Sequence, residues 1–374
     1  MINVGIVGTG QIFDLNILGY LDNEDARIVA LCNRTTEKAE KKRAQFDLPD
    51  DIPIYSNCTE MFEKEELDLV EILLPHHLHV DAVCLAAKKG IDVVSVQKPI
   101  ARTLQEADKM IQTCENAGTL LSVYENFFSD PHLKKAKKLI TDDYIGDISS
   151  IRIKVALAGK GGWEIPQGAK EWRADPEKLG GAKEGSPILF DNGWHAFALG
   201  WWFYDEPIEK VHAWTGNLKN TDAPAYVKWK CKRDFNKKHV VPQYGNIEFT
   251  LMPEMKIPSK YYPTDEFIEI IGSRGIMKLN QCTAQGNTMS ESDVFKPIVI
   301  IRDGKVETID DSPGDWKQSF INATHHVIET AKGNAEPLLS GEQAREVLKF
   351  NLAAIQSAQR EKEIFLDEFS SPAK

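Results

Sequence analysis

The sequence predicts an α/β domain followed by an α+β domain. A doubly wound parallel sheet comes first, and a larger domain with a mostly antiparallel open-faced sheet follows. Three observations carry this. An apolar strand from Ile2 to Val7 runs directly into a glycine turn, Gly8-Thr9-Gly10. A second apolar run, Ile91-Asp92-Val93-Val94-Ser95-Val96-Gln97, reads as a parallel strand covered on both faces and stops at Lys98-Pro99. From Ile148 onward the pattern changes to short alternating runs, the signature of half-buried strands. A chain of 374 residues is long for one core. Two domains are expected, residues 1–126 and 127–374.

Composition narrows the class. The chain is 42% hydrophobic and 27% charged, ordinary for a globular protein. Its net charge of −11 argues against nucleic acid, because phosphate binding needs clustered Lys and Arg. No apolar run is long enough to span a bilayer, so no membrane partner is expected. Met1-Ile2-Asn3-Val4 reads as the start of a first strand rather than a leader. Cys32, Cys58, Cys84, Cys114, Cys231 and Cys282 are dispersed without a C-x-x-C pair, which fits reduced thiols in a cytoplasmic protein.

In chain order, a helical pattern from Gln11 to about Leu21 follows the first glycine turn. Strand, glycine turn and helix are the context that a dinucleotide-binding (Rossmann) turn requires. Gly8 allows the tight turn, and Gly10 lets backbone N–H groups near Gln11 and Ile12 approach a pyrophosphate. Phe13 stands where a third glycine is usual. The second strand, Arg27 to Cys32, ends in Asn33-Arg34-Thr35, where an NAD enzyme would place an acid on the ribose hydroxyls. Arg34 suits a bidentate phosphate contact, so NADP is favoured over NAD. Asn33 and Thr35 also suit capping of a helix from Glu37 to Phe46.

A buried strand from Asp68 to Leu74 leads to Pro75-His76-His77-Leu78-His79. Pro75, His76 and His79 are expected at a strand-end loop touching the cofactor, with no metal. Helices from Val80 to Lys89 and Thr103 to Ala117, and a strand from Leu120 to Tyr124, complete the alternating βα pattern of a parallel sheet. Lys98 sits at the carboxyl end of its strand, where ligands bind in open α/β sheets.

The Gly-x-Gly turn, Pro75-x-x-x-His79 and Lys98-Pro99, in that order, resemble the Gfo/Idh/MocA oxidoreductases. The usual Glu-Lys-Pro of that family stands here as Gln97-Lys98-Pro99. The likeness extends through Tyr144-Ile145-Gly146-Asp147-Ile148, Trp172-Arg173 with Gly180-Gly181, Asp191-Asn192-Gly193-Trp194-His195, and Gly272-Ser273-Arg274-Gly275. Ala198 stands where an acid is frequent. The resemblance implies a cis Lys98–Pro99 bond, a cofactor edge that includes Gln97 and Lys98, and a catalytic set of Lys98, Asp191 and His195. It also implies a sugar, polyol or related carbonyl compound as substrate.

In the second domain, strands are read at Ile151–Leu157, Ile208–Trp214, Ala225–Cys231, Gly245–Met252, Phe267–Ile271, Gly275–Leu279, Ile298–Ile301 and Val306–Ile309. This sheet is the expected route to a homodimer or homotetramer. Pro187 to Tyr204 reads as one apolar helix carrying Asp191 and His195, an i, i+4 pair on one face. Such a pair suits acid–base work or a satisfied core histidine. With Lys98 the first reading gains weight: His195 takes a hydroxyl proton while Lys98 steadies a developing alkoxide. Trp163, Trp172 and Trp194 are candidates to stack on a sugar ring, and Trp201-Trp202-Phe203 is read as core. The substrate side is expected to comprise Lys98, Trp163, Trp172, Arg173, Asn192 and His195. Lys160-Gly161-Gly162 is read as a mobile loop. Two other functions fit the same fold: a non-catalytic dinucleotide sensor, and a sugar-ring redox enzyme with tightly held cofactor that drives elimination or hydrolysis.

Overall fold

A computed structural model describes residues 1–181, 186–232, 241–281, 296–309 and 316–370. Cys282, one of the thiols read as reduced, lies outside these residues. The other five cysteines are unpaired by disulfides.

The N-terminal part alternates as expected: β1 (Ile2–Val7), α1 (Phe13–Leu21), β2 (Ala26–Cys32), α2 (Thr36–Gln45), β3 (Ile54–Tyr55), α3 (Cys58–Lys64), β4 (Leu69–Ile72), α4 (His79–Lys88), β5 (Val93–Gln97), α5 (Leu104–Ala117) and β6 (Leu120–Tyr124). The strands form a six-stranded parallel sheet in the order β3-β2-β1-β4-β5-β6. All five residues of β5 are buried, as an inner strand covered on both faces requires. Helix α1 begins at Phe13 rather than Gln11. The residues before it close tight i→i−3 bonds, Phe13 N to Gly10 O and Asp14 N to Gln11 O. The sequence reading passed over β3 and α3. The start of α3 does carry a local signal, since the Asn57 side chain accepts from Thr59 N at 2.8 Å.

The chain continues through α6 (Pro131–Thr141), β7 (Ile148–Lys160), α7 (Gln167–Arg173), α8 (Pro176–Leu179), a π-helical turn (Pro187–Asn192), α9 (Trp194–Tyr204), β8 (Ile208–Thr215), β9 (Ala225–Cys231) and β10 (Tyr244–Lys256). Then follow β11 (Thr264–Gly272), β12 (Gly275–Gln281), β13 (Ile298–Arg302), β14 (Lys305–Ile309), α10 (Trp316–Ala331), α11 (Gly341–Arg360) and β15 (Ile364–Phe365). Nine strands form a mixed, mostly antiparallel sheet, β14-β13-β12-β11-β7-β10-β9-β8-β15, in which β7 and β10 run parallel.

Contacts divide the chain into two compact units. The first comprises residues 1–126, 166–180 and 319–348, and the second 127–165, 181–318 and 349–374. In the second unit the alternation in β9 buries Ala225, Val227, Trp229 and Cys231 on one face. There the Trp229 ring meets Phe350, at 5.3 Å between centroids, and Phe350 meets Phe197 of α9 at 4.8 Å. Burial of one such ring stabilises by about 1.5–3 kcal/mol. Among the described residues, no helix is long and apolar enough to cross a membrane.

Candidate functional site

In the first unit the residues expected to bind cofactor gather at one edge of the parallel sheet. Val7 pairs with Cys32 and with Ile72, Ile72 with Val96, and Gln97 with Tyr124. Gly8, Asn33, Leu73 and Lys98 therefore leave the sheet along its carboxyl edge. The strand order reverses between β1 and β4, which is where such sheets take their ligands. Gly8 has φ +103°, and a Cβ there would lie 2.4 Å from Leu73 O, so no other residue fits. At Gly10 a Cβ would meet nothing within 4 Å, which is the open space a pyrophosphate needs beside backbone N–H groups. The residues present thus fit a dinucleotide. Phe13 supplies bulk in place of the third glycine, and its buried ring packs on Phe46 with centroids 5.8 Å apart.

Asn33 ties this edge together: its Oδ1 accepts from Thr9 N at 3.3 Å and its Nδ2 donates to Thr35 O at 2.7 Å. Thr35 precedes α2 without a side-chain capping bond, contrary to the capping expected of it. Arg34 is exposed at the same strand end, and Gln11 and Ile12 are half-buried in the turn before α1.

The histidine loop is used structurally. His79 is fully buried, with Nδ1 3.1 Å from Pro99 O and Nε2 2.8 Å from Leu74 O. It pins the end of β4 to the turn that holds Lys98. Burial lowers the His79 pKa, against the pull of the surrounding carbonyls. His76 lies 2.9 Å from Leu179 O through Nδ1, and its ring meets Trp172 edge-on at 4.8 Å. Arg173 covers the other partner of that contact, its guanidinium 4.2 Å from the Trp172 ring centre. Trp172 and Arg173 therefore group with His76 in the first unit, while Trp163, Asn192 and His195 belong to the second. Lys98 is half-buried, and the Lys98–Pro99 bond is cis, as the resemblance implies.

Sequence reasoning missed a buried polar seam behind this edge. Gln97 Nε2 donates to Asn16 Oδ1 at 3.2 Å, so the Gln97 side chain points into the α1 face of the sheet. Tyr20 donates to Glu71 Oε2 at 2.8 Å, and Tyr124 bonds Phe320 O at 2.7 Å and Thr324 Oγ1 at 2.9 Å. Burial pushes the Glu71 carboxyl up to about 7, against the hydrogen bond from Tyr20. A lone Glu in an apolar strand was the available signal.

In the second unit the segment expected as one helix from Pro187 to Tyr204 is helical along its length but changes pitch at Gly193, which keeps a right-handed helical backbone (φ −69°, ψ −18°). Pro187–Asn192 forms a π turn, and Gly193 N reaches back to Ile188 O at 2.5 Å before α9 begins at Trp194. A Cβ at Gly193 would lie 2.5 Å from Leu189 O, which explains glycine at the junction. Asp191 is buried in the π turn, and His195 stands half-buried in the first turn of α9. The simple i, i+4 geometry of one α-helix does not apply, because the wider turn shifts the register between them.

Neighbours hold this segment. Asp222 accepts from Ile188 N at 2.8 Å and from Leu189 N at 3.0 Å. Burial raises the Asp222 pKa, against those two backbone bonds. Asn351 Nδ2 donates to Leu189 O at 2.7 Å, and Asn192 Nδ2 bonds back to Pro187 O at 3.2 Å. The Phe127 ring stacks on the His195 imidazole, 4.2 Å between centroids and 23° between planes.

The aromatic expectations are partly corrected. Trp194 is fully buried in the core and cannot stack on a ligand from solvent. Phe203 is core, but Trp201 and Trp202 are half-buried. Trp163 packs edge-on against Tyr261, Tyr262 and Trp316, at 5.8, 5.4 and 5.9 Å. Lys160-Gly161-Gly162 is not a detached loop: Ile257 N bonds Lys160 O, Ser259 N bonds Gly161 O, and Trp163 N bonds Tyr261 O.

Comparison with known proteins agrees with this geometry. Residues 2–125 match an oxidoreductase family with an NAD-binding Rossmann fold, and residues 137–366 match that family's C-terminal alpha/beta domain. A 2,7-anhydro-N-acetylneuraminate hydratase of Mediterraneibacter gnavus is 30% identical over 183 residues, 48% of this chain and 45% of that protein. The chain spans about half the length, or less, of the first curated relatives it matches. A D-xylose 1-dehydrogenase (NADP(+)) of Haloferax volcanii is 22% identical over 97% of this chain and 99% of its own. Among solved structures, an Agrobacterium radiobacter oxidoreductase in complex with NAD+, L-tartaric acid and magnesium superposes with a TM-score of 0.79. It is 18% identical and covers 98% of both chains, a likeness of fold. The two matched segments together take in most of the sequence, and the chain belongs to the Gfo/Idh/MocA oxidoreductase family.

Proposed function

We propose that the protein is an NAD(P)-dependent oxidoreductase acting on a hydroxyl or carbonyl carbon of a sugar, polyol or related compound. The observation that carries this reading is Lys98, half-buried at the end of a fully buried strand, on the edge where the Gly8–Gly10 turn leaves room for a pyrophosphate. The relative named for D-xylose and NADP(+), matched over nearly its whole length, supports the substrate class. Bound nicotinamide supplies the hydride acceptor or donor. In the oxidative direction His195 takes the hydroxyl proton, Lys98 sets positive charge against the developing alkoxide, and Asp191 orients the imidazole. Gly8, Gly10, Gln11 and Ile12 serve the pyrophosphate, and Asn33, Arg34 and Thr35 the adenosine end. Pro75, His76 and the Gln97 backbone line the cofactor edge, while His79 acts through the turn it pins. Trp163, Trp172, Arg173 and Asn192 are proposed substrate contacts.

NADP is the preferred cofactor in this reading, because Arg34 is exposed at the β2 end and no acid stands in Asn33-Arg34-Thr35. The functional domains are 1–126 and 127–374, consistent with family matches to 2–125 and 137–366. A homodimer or homotetramer through the nine-stranded sheet and a cytoplasmic location complete the proposal; the five unbridged cysteines support the latter.

The test is a panel of D-xylose, D-glucose, myo-inositol and scyllo-inositol, assayed with both cofactors by nicotinamide absorbance. Turnover of at least one, faster with NADP, is expected. Cofactor binding without turnover of any member would favour a sensor. A second reading, redox-driven elimination, draws on the relative named as a hydratase. It requires cofactor that copurifies and no net change in nicotinamide absorbance during turnover.

A further inference from the structure

π-Helical turns are rare and are not favoured by local sequence alone, so the one bearing Asp191 must be held from outside. Its first backbone N–H groups lack partners within the helix, as at any helix start. Asp222 supplies both acceptors, at 2.8 Å to Ile188 N and 3.0 Å to Leu189 N. The carbonyl of Leu189 is held in turn by Asn351 at 2.7 Å, so one residue of the turn is fixed through both its donor and its acceptor. A second restraint acts on the other member of the pair. Phe127 and Phe128, consecutive in the chain, stack on His195 and Trp202, at 4.2 Å and 4.5 Å. These two targets are seven residues apart on α9 and so share a face. Lys137 Nζ donates to Trp202 O at 2.6 Å and fixes the far end of that face. The Phe127 ring is buried and lies nearly parallel to the imidazole, 23° apart, so it limits rotation of His195 about its outer torsion.

We propose that Phe127 and Asp222 are positioning residues for the Asp191–His195 pair. Asp222 fixes the backbone of the turn that carries Asp191, and Phe127 fixes the plane of the imidazole. The proposal rests on the assignment of His195 as proton acceptor. Small misplacements of a reacting group are costly, about 10²-fold in rate for roughly 1 Å. The effect therefore belongs in kcat rather than in KM or cofactor affinity.

The experiment measures kcat, KM and melting temperature for Phe127→Leu, Phe127→Tyr, Asp222→Asn and His195→Asn, with NADP and the fastest sugar of the panel above. Rates are expressed per folded molecule. Expected results are a fall in kcat of about tenfold or more for Phe127→Leu and Asp222→Asn, with KM within about twofold. Phe127→Tyr, which keeps a ring face, should recover most of the loss. If Phe127→Leu or Asp222→Asn melts earlier yet keeps wild-type kcat, that residue is structural and its assignment is overturned. A Phe127→Tyr enzyme as slow as Phe127→Leu overturns the stacking argument. His195→Asn separates the two levels. If it keeps the wild-type rate, the proton-acceptor reading falls and the positioning proposal with it; if it is inactive while the other variants are normal, the positioning proposal alone falls.

Discussion

The two regions that carry the proposed chemistry are built in opposite ways. The edge of the parallel sheet is assembled from regular strands whose ends are marked by local punctuation: Gly8 at φ +103° after β1, and Pro99 after β5. The Asp191–His195 segment runs from a π-helical turn into the first turn of α9; the π turn is held by residues far along the chain, Asp222 and Asn351, and Phe127 stacks on the histidine. Strand-end punctuation, with His79 pinning the turn, therefore sets Lys98, whereas packing from more distant segments sets His195. One expects the first to tolerate changes elsewhere in the fold and the second to be sensitive to them.

The largest effect is expected for His195→Asn, because loss of a positioned acid–base group costs about 10²–10⁴ in rate. Asp191→Asn should lose less, since it keeps a hydrogen-bonding side chain in the turn. Equal losses would make Asp191 more than an orienter, and a stable His195→Asn protein at wild-type rate would return the pair to the core. Next is Arg34→Ala on the sheet edge. If Arg34 holds a 2′-phosphate, NADP binding weakens by about 1.5–3 kcal/mol, the worth of a charge-assisted hydrogen bond, and NAD binding hardly changes. Equal weakening in a binding titration would reject the NADP preference.

A last effect, read as a slope against pH rather than as a change in rate or binding, tests whether the sheet edge has a polar support of its own. The Glu71 carboxyl is raised to about 7 by burial, so the folded protein holds a proton that an unfolded chain releases near its ordinary value of 4.5. Between those values the native state binds more protons, and stability is fully present below the lower value and lost as pH rises through the upper one. The slope cannot exceed about 1.4 kcal/mol per pH unit for one group. Glu71→Gln should flatten that part of the stability curve, measured by denaturant unfolding across pH 4.5–7. An unchanged slope would mean that Glu71 titrates normally. Tyr20 and Tyr124, which share the seam, are themselves raised by burial and stay neutral throughout.

How much of this could be read from the sequence follows the same division. The parallel sheet, its glycine turn and the strand ending at Lys98 follow from period and punctuation, whereas of the thirteen-residue β7 only the central Ile151–Leu157 was read. Resemblance supplied the cis Lys98–Pro99 bond. The change of pitch at Gly193 was missed: Asn192-Gly193 is a turn signal, but the flanking residues Pro187–Phe190 and Ala196–Tyr204 are apolar and carry no period that marks a register change. Also missed was the destination of Trp194, now core, and that of Trp172, which groups with His76. Aromatic residues serve cores and ligands alike, and composition does not separate the two. His79 looked like a cofactor contact, but its two ring nitrogens face the backbone carbonyls of Leu74, Pro99 and Ile100. A pairing of that kind between two strand ends is invisible in a linear pattern.

The assignment of Lys98 to the chemistry is tested most directly by Lys98→Met, measured at once for NADP affinity and for turnover of the fastest panel sugar. Methionine keeps the length and apolar stem of lysine while removing the charge. Loss of a preorganised stabiliser of a developing oxyanion is worth about 10²–10³ in rate. The expected result is a fall of that size in kcat, with the NADP dissociation constant within about twofold of wild type and the melting temperature unchanged. A Lys98→Met enzyme that turns over at the wild-type rate, or one whose whole loss traces to NADP no longer binding, would contradict it.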